Sequence, residues 1–256
     1  FWLKRFVIIR PCLDGHVSWH DSCYYPCIHS PLAGMAEMAG SYEPRHAVTA
    51  QKVAGLWPLL PRWLRGELRS DHAGETGAVW IYRGAAAGAA TRSLLGFPLQ
   101  AATVDFVRRH LLAEEQHLRL FDIAIPFFGR SMLLVAWRAA GWVLGCVPAL
   151  VGNRALFLTI DAVETFVEDH YGNQIVRLKQ GEGGPHLDAK SNEDLIGLLG
   201  ACCEEEIYHR DDARTRWNED HVPAASAPYD WNPMDQVWVW LVLAASASAA
   251  WVAKKI

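Results

Sequence analysis

The sequence lacks the features by which several large classes of protein are recognised. Its net charge is −4 and its isoelectric point is near 6.3, so it has no excess of basic residues of the kind that binds nucleic acid. It contains no long alternation of apolar and polar residues, and no Gly-x-Gly-x-x-Gly that follows a strand. We therefore expect a helical protein without a dinucleotide-binding domain of its own and without a nucleic-acid partner.

The six cysteines form no Cys-x-x-Cys pair, and two of them, Cys202 and Cys203, are adjacent. This spacing indicates neither a zinc ribbon nor a disulfide framework. Cys23 and Cys27 lie among three histidines, which is a weak sign of a small zinc site, but the irregular spacing favours an incidental grouping. We interpret residues 1–50 as an N-terminal extension, either a targeting segment or derived from a fragment, and leave them out of the fold prediction.

Apolar residues are abundant: 51% of the chain is hydrophobic and 12 residues are tryptophan, which indicates an apolar ligand or a membrane surface. Two segments, 131–152 and 237–253, are almost free of charge. As a helix the second would be about 26 Å long, somewhat less than the ~30 Å of a hydrocarbon core. We predict that both lie in one leaflet of a membrane. A transmembrane span, or a soluble protein with both helices packed inside, is the alternative.

Four longer segments have helical character, with predicted bounds of about 63–88, 99–123, 154–179 and 192–217. Proline- and glycine-rich stretches separate them, and Asn192 is the predicted N-cap of the fourth. Residues 221–233 hold three prolines and are interpreted as a connector to the last apolar segment. The chain length fits a single domain, which we predict over residues 51–256.

The most specific signal is a Glu-x-x-His pair that occurs twice, as Glu114 with His117 and as Glu206 with His209. Residues i and i+3 share a face of a helix, so each pair can reach one metal ion. Each pair is preceded, at a similar distance, by a single glutamate in another helical segment. One lone glutamate and one Glu-x-x-His pair, both repeated, form the ligand set of a carboxylate-bridged dimetal site in a four-helix bundle. The predicted metal ligands are Glu75, Glu114, His117, Glu164, Glu206 and His209.

Neighbouring acids could compete with these ligands. Glu115 lies two residues before His117 and faces another direction, so Glu114 is preferred. Glu205 and Glu206 can both reach the second histidine, and the parallel with the first pair favours Glu206, with Glu205 as the alternative. Iron accepts oxygen and imidazole donors, and four carboxylates with two histidines nearly neutralise two such cations. Two glutamates can bridge the ions, which leaves coordination positions open for dioxygen.

Longer matches surround these ligands. In chain order they are Asp71-His72-Ala73-Gly74-Glu75-Thr76-Gly77-Ala78 with Ile81-Tyr82, then Glu114-x-x-His117, then Ala162-Val163-Glu164 with His170-Tyr171-x-Asn173-Gln174-Ile175, and finally Glu205-Glu206-x-x-His209. Together they resemble the metal motifs of the demethoxyubiquinone hydroxylase family. The resemblance covers about residues 60–256 and includes the final apolar segment. It departs from the family at Glu168 and Asp169, where the family is usually less acidic, and over residues 1–50.

The resemblance implies an all-α fold, a ferritin-like four-helix bundle with additional apolar, membrane-associated helices. It implies a di-iron monooxygenase that hydroxylates the demethoxy ring of a polyprenylated quinol in ubiquinone biosynthesis, using dioxygen and electrons from NADH. His170 and Tyr171 resemble the pair that contacts the quinone and assists electron transfer. The implied partners are the membrane surface and a lipid-binding accessory protein of the coenzyme Q assembly. The implied location is the matrix side of the mitochondrial inner membrane or, alternatively, the cytoplasmic face of a bacterial membrane.

Three other functions are compatible with a dimetal bundle. A ferritin-like ferroxidase or rubrerythrin-type oxidase would need neither the apolar helices nor the His-Tyr pair. An inactive scaffold of a coenzyme Q assembly would not need all six ligands. A membrane-bound quinol oxidase belongs to a related di-iron class. Metal analysis of the purified protein, combined with mass spectrometry of its quinones, would distinguish these functions.

Overall fold

The structure is a computed structural model that describes residues 44–219 and 233–256. Within these residues the regular secondary structure is helical, without strands, which confirms the all-α prediction. Cys23 and Cys27 lie outside them. Two short 3-10 turns, Trp57–Leu59 and Phe127–Gly129, occur between helices. The helices are α1 (Pro44–Leu56), α2 (Arg62–Leu94), α3 (Ala101–Ala124), α4 (Leu134–Val151), α5 (Asn153–Lys179), α6 (Ala189–Glu219) and α7 (Pro233–Ala253).

Helices α2, α3, α5 and α6 form a four-helix bundle, and they correspond to the four predicted segments. Helix α2 packs against α3, and α5 packs against α6. The two pairs are joined by contacts such as the stacked rings of Phe121 and Tyr171, 6.2 Å apart. Two apolar clusters fill the bundle, one toward each end, and the buried charged residues lie between them along all four helices. This arrangement places a polar layer inside a hydrophobic core.

Helix α4 approaches α2 unusually closely, because glycines occupy the contact. A Cβ atom at Gly145 would lie 1.8 Å from the carbonyl oxygen of Ile81, and one at Gly141 would lie 2.3 Å from that of Gly77. Only residues without a side chain allow two helix backbones to touch in this way. The glycines of α2 and α4 therefore determine how near α4 lies to the bundle.

Helix α7 lies on the same side of the bundle, against α5 and α2. Arg154 forms an ion pair with Asp235 at the start of α7, and Trp238 Nε1 donates a hydrogen bond to Thr159 Oγ1 at 2.8 Å. Near the end of α7, Ser70 Oγ donates to the carbonyl oxygen of Ala250 at 3.3 Å. Helices α4 and α7 thus form an outer layer over α2 and α5.

The outer faces of α4 and α7 are apolar and exposed. Val135 is 77% exposed on α4 and Trp240 is 61% exposed on α7. Both helices are long and apolar enough to cross a membrane, with mean hydropathies of 1.6 and 1.5, yet few of their residues are buried in the protein. The two helices are therefore not packed inside a soluble core, in contrast to one of the alternatives considered from the sequence.

The starts of two helices differ from the sequence prediction. Helix α1 begins at Pro44 and so crosses the predicted domain boundary at residue 51; it buries Ala50 and Val53 against α3 and α6. The predicted cap at Asn192 is wrong, because α6 already begins at Ala189. Asp188 instead accepts a hydrogen bond from the Ser191 amide at 2.7 Å, as an N-terminal capping side chain does. The boundary at residue 51 stays a prediction.

Candidate metal centre

The six residues predicted as metal ligands meet at the centre of the bundle, in the polar layer between the two apolar clusters. None of them is more than 3% exposed. Helices α2 and α5 each contribute one glutamate, and α3 and α6 each contribute a glutamate and a histidine one turn apart. They are Glu75, Glu114, His117, Glu164, Glu206 and His209.

The donor atoms form two overlapping groups, in each of which they lie within 4.8 Å of one another. Glu75 and His117 belong only to the first group, and Glu164 and His209 belong only to the second. Both groups share two further residues, Glu114 and Glu206. If each group held one cation, Glu114 and Glu206 would be the carboxylates that both cations could share.

Each histidine places its Nδ1 atom near two carboxylates, and a single proton on that nitrogen can form a good hydrogen bond to only one of them. His117 Nδ1 lies 3.0 Å from an oxygen of Glu206 and 3.6 Å from one of Glu75. His209 Nδ1 lies 3.0 Å from an oxygen of Glu114 and 3.1 Å from one of Glu206. Within the described residues, Oε2 of Glu75 and of Glu114 are buried and receive no hydrogen bond. Burying such oxygens without a partner is costly, and a cation between them would remove the cost, so the donor set fits a metal site.

Burial also changes how these groups ionise. It raises the pKa of Glu75 to about 8, and it raises the pKa of Glu114 and of Glu164, with neighbouring carboxylates adding to the effect at both. Burial lowers the pKa of His209, but the carboxylates beside it outweigh burial and raise the pKa to about 9. Burial raises the pKa of Glu206, but the two histidines outweigh it and lower the pKa. Without metal, the site therefore retains protons that a cation would displace.

We expect metal to stabilise the protein more at high pH than at low pH. The pKa of Glu75 is about 8 in the fold against an ordinary 4.5, and that of His209 is about 9 against 6.5. Both are raised, so the metal-free fold holds more protons than the unfolded chain and loses stability as pH rises through these windows. Metal replaces those protons. The difference in Tm between metal-loaded and EDTA-treated protein should widen from about pH 6 to about pH 9. A difference that narrows over this range would contradict the assignment.

The acids that competed with the predicted ligands lie outside both groups. Glu205 faces the other ring nitrogen of His117, with Glu205 Oε2 2.8 Å from Nε2, so it can fix the ring orientation of that histidine. Glu115 forms an ion pair with Arg83 at 2.8 Å. The structure thus separates Glu114 and Glu206 from their sequence neighbours by the face of the helix on which each lies.

Two tyrosines donate hydrogen bonds to the glutamates that α5 and α2 contribute to the cluster. Tyr82 Oη donates a hydrogen bond to Glu164 at 3.2 Å, and Tyr171 Oη donates one to Glu75. Both tyrosines are buried. Hydrogen bonds of this kind orient carboxylates around a metal. The sequence prediction included Tyr171 as a catalytic residue but gave no separate role to Tyr82, whose partner becomes visible only when α2 faces α5.

The sequence prediction also missed His110. This histidine is buried, its ring lies edge-on to that of His209 with centroids 4.3 Å apart, and its Nε2 lies 2.9 Å from Asp212. Burial lowers its pKa to about 3. The signal was available, because His110 lies four residues before Glu114 and therefore shares the inner face of α3.

His170 and Tyr171 are placed differently. Tyr171 reaches the six-residue cluster through Glu75, whereas His170 does not. His170 Nε2 lies 3.0 Å from Asp71 and 3.6 Å from Glu67, on the side of α5 that faces α2. The structure therefore brings one member of the predicted catalytic pair to the cluster and places the other among different carboxylates.

A cavity of about 190 Å³ adjoins the cluster. At one side it is lined by Glu75, Glu164 and Glu206, and both His170 and Tyr171 also face it. Its remaining walls are largely apolar and come from α2, α4, α5 and α7. The α4 residues are Trp137, Ala140, Gly141 and Leu144, and the α7 residues are Ala245, Ser246, Ala249, Ala250 and Ala253. The cavity thus joins the buried carboxylates to the two exposed apolar helices.

A helical bundle with this cluster is the kind of protein in which carboxylate-bridged dimetal sites are built. The sequence model described as "Ubiquinone biosynthesis protein COQ7" matches residues 62–231, and the chain belongs to this family. The family resemblance inferred from the four motifs is therefore confirmed.

Curated relatives agree with this assignment. The chain is 36% identical over 146 residues to the 3-demethoxyubiquinol 3-hydroxylase of Rhodospirillum rubrum, and 31% identical over 146 residues to the human NADPH-dependent 3-demethoxyubiquinone 3-hydroxylase, mitochondrial. Each match covers 56% of this chain and 60% of the relative. The yeast 5-demethoxyubiquinone hydroxylase, mitochondrial, is 27% identical over 186 residues, which cover 67% of this chain and 72% of the relative. The matched part thus spans about three fifths of the first two relatives.

Proposed function

We propose that this protein is a di-iron monooxygenase that hydroxylates the ring of a polyprenylated demethoxyquinol in ubiquinone biosynthesis. The observation that carries the proposal is the cavity, because it joins a buried carboxylate–histidine cluster to two exposed apolar helices. The family supports the substrate, since the relatives are named as hydroxylases of demethoxyubiquinol or demethoxyubiquinone.

Two iron ions are the proposed cofactor. Oxygen and imidazole donors suit iron, and the four carboxylates balance most of the charge of two such ions in a site that excludes water. When bound, the iron pair would activate dioxygen for the reaction. The proposed ligands are Glu75 and His117 for one ion and Glu164 and His209 for the other, with Glu114 and Glu206 between them.

The cavity would hold the quinol ring next to the cluster, while the polyprenyl tail extends along apolar walls toward the lipid. Tyr171 both faces the cavity and holds Glu75, so it would contact the ring and position a ligand. We propose that His170 and Tyr171 are the catalytic pair that contacts the quinone and assists electron transfer.

NADH is the proposed source of the electrons, as the family resemblance implies. The mammalian relatives are named NADPH-dependent, which makes NADPH the alternative. Comparing the rate of quinone-dependent oxidation of the two nucleotides by the iron-loaded protein would decide between them. A rate with NADPH that exceeds the rate with NADH would refute this choice.

We further propose that α4 and α7 bind the protein to one leaflet, on the matrix side of the mitochondrial inner membrane. Their exposed apolar faces support insertion into lipid, and several relatives are named as mitochondrial, although the bacterial relative makes a cytoplasmic membrane face the alternative. Detergent, but not high salt, should release the protein, because apolar insertion is insensitive to screening. In sealed vesicles, protease cleavage of the Lys254-Lys255 end from the side opposite the bundle would refute in-plane binding.

A lipid-binding accessory protein of the coenzyme Q assembly is the proposed partner, and its failure to co-purify would count against it.

The functional test uses cells that lack their own demethoxyubiquinone hydroxylase. Such cells should accumulate the demethoxy precursor, and expression of this chain should restore ubiquinone, as measured by mass spectrometry of extracted quinones. Tyr171→Phe removes one hydroxyl and keeps the ring, so iron should still load while quinone-dependent nucleotide oxidation falls. Full activity of Tyr171→Phe would leave this tyrosine as a packing residue. Failure of the intact chain to convert the precursor would favour a ferroxidase instead.

A further inference from the structure

Three ionisable side chains form a line from the protein surface to the cavity. Glu67 Oε2 lies 3.6 Å from His170 Nε2, and the same nitrogen lies 3.0 Å from Asp71 Oδ1. The side chains of Glu67 and His170 are partly exposed, at 14% and 13%, whereas that of Asp71 is fully buried. Asp71 and His170 both line the cavity, and Asp71 lies one helical turn before Glu75.

Further side chains contact both ends of this line. At the outer end, Lys254 Nζ forms an ion pair with Glu67 Oε2 at 2.6 Å, and Lys254 is itself 25% exposed. At the inner end, Gln174 Nε2 donates a hydrogen bond to Asp71 Oδ1 at 2.8 Å. The other oxygen of Asp71, Oδ2, is buried and receives no hydrogen bond from the described residues. Burial raises the pKa of Asp71, which favours its protonated form.

The proposed reaction creates a need for such a line. One oxygen atom of dioxygen enters a ring C–H bond and the other leaves as water, so each turnover consumes two electrons from the nucleotide and two protons. The electrons are supplied by the reductant already proposed. The nucleotide's hydride accounts for one of these protons, and the other must come from bulk water, although the walls of the cavity are largely apolar and lie under two helices with exposed apolar surfaces. Apolar walls conduct no protons, so ionisable side chains have to carry them.

We propose that Glu67, His170 and Asp71 relay protons from the surface to the cavity. Glu67 takes a proton from water beside Lys254 and passes it to His170 Nε2. His170 releases it to Oδ1 of Asp71, and Asp71 delivers a proton from Oδ2 to the acceptor in the cavity. A carboxyl group can receive on one oxygen and release from the other, and the imidazole nitrogen lies between the two carboxylates. This relay rests on the proposed monooxygenase function and adds two residues, Glu67 and Asp71, to it.

The structure also offers a simpler role for Glu67. Its ion pair with Lys254 joins the end of α7 to α2, so the carboxylate could serve only to hold α7 in place. The two roles make different demands on the side chain. A structural tie needs both members of the ion pair, whereas a relay needs the carboxyl proton of Glu67 and can do without the ammonium group of Lys254.

The test compares purified, iron-loaded variants of this chain for the rate of quinol hydroxylation. Glu67→Gln keeps size and polarity but has no carboxyl proton to transfer, so kcat should fall at least about tenfold, with iron content and KM for the quinol unchanged. The ratio of rates in H2O and D2O should rise, because proton delivery becomes limiting. Glu67→Asp should recover most of the rate. Lys254→Met should stay within about twofold of the parent, as should the control Glu182→Gln, which pairs with Arg177 on the surface.

Several results would overturn the relay. Equal losses in Lys254→Met and Glu67→Gln would show that the ion pair only ties α7 to α2. An unchanged solvent isotope effect in Glu67→Gln would exclude proton delivery through this residue. If Glu67→Gln fails to fold by circular dichroism, Asp71→Asn provides the same test at the inner end. Parent protein that forms no hydroxylated quinol would refute the proposed function itself, whereas an active parent with an equally active Glu67→Gln would refute the relay alone.

Discussion

Replacing Glu164 by alanine should abolish binding of the proposed iron ions and lower the proposed hydroxylase activity more than about a hundredfold. Loss of a residue that only supports a metal ligand costs up to about a hundredfold, and loss of a ligand should cost more. Glu164 is the only carboxylate that α5 contributes to the described cluster, and it belongs to just one of the two donor groups. The helices should persist, because apolar packing at both ends of the bundle supplies most of its stability. Iron per chain, measured by elemental analysis, and helix content, measured by circular dichroism, test the two statements.

The matched control is Glu115→Ala. Glu115 neighbours a proposed ligand in sequence, but it lies on another face of α3 and pairs with Arg83 near the surface. Its replacement should leave iron content unchanged and cost at most about 1 kcal/mol of stability. Unchanged iron in Glu164→Ala would remove that residue from the ligand set. Loss of iron in Glu115→Ala, with iron kept in Glu114→Ala, would show that the register along α3 is wrong.

The cluster was predictable because its main signal is local. A Glu-x-x-His pair on a helix fixes its own geometry, and the bundle needs only to bring two such pairs together. That Glu114 and Glu206 belong to both donor groups was not predictable, since it depends on distances between α3 and α6. The same holds for Tyr82, which reaches Glu164 across the bundle. Partners on other helices leave no periodic trace in the sequence.

The fold was predictable to a similar extent. Four long amphipathic segments gave the bundle, while α1 was missed because it is short and precedes two prolines. The start of α6 was misplaced because Asp188, not Asn192, caps it. Glycine disfavours helix formation, so the glycines within α2 and α4 count against those helices when each is considered alone. The role of these glycines becomes clear only from the close contact between the backbones of α2 and α4.

The contact between α2 and α4 is where we expect a single substitution to lower stability the most. Gly145→Ala adds one methyl group, whose carbon would lie 1.8 Å from the Ile81 carbonyl oxygen and 2.9 Å from the Ala85 amide nitrogen. Both are backbone atoms of α2 and cannot rotate away, so α4 has to move outward. We expect a loss of about 3 kcal/mol or more, at or above the upper end of ordinary overpacking. For a chain of this size that lowers Tm by roughly 6–12 °C, measurable by thermal unfolding in detergent.

Gly197→Ala is the control that separates packing from helix propensity. Gly197 lies exposed within α6, and a Cβ atom there would meet nothing within 4 Å. The same change should therefore raise stability by roughly 0.5–1 kcal/mol, because alanine favours the helix more than glycine does. Opposite signs for one chemical change would show that contact between α2 and α4 decides the outcome at Gly145. A rise in Tm for both variants would mean that the two helices lie farther apart, and that the α4 wall of the cavity is not held by these glycines.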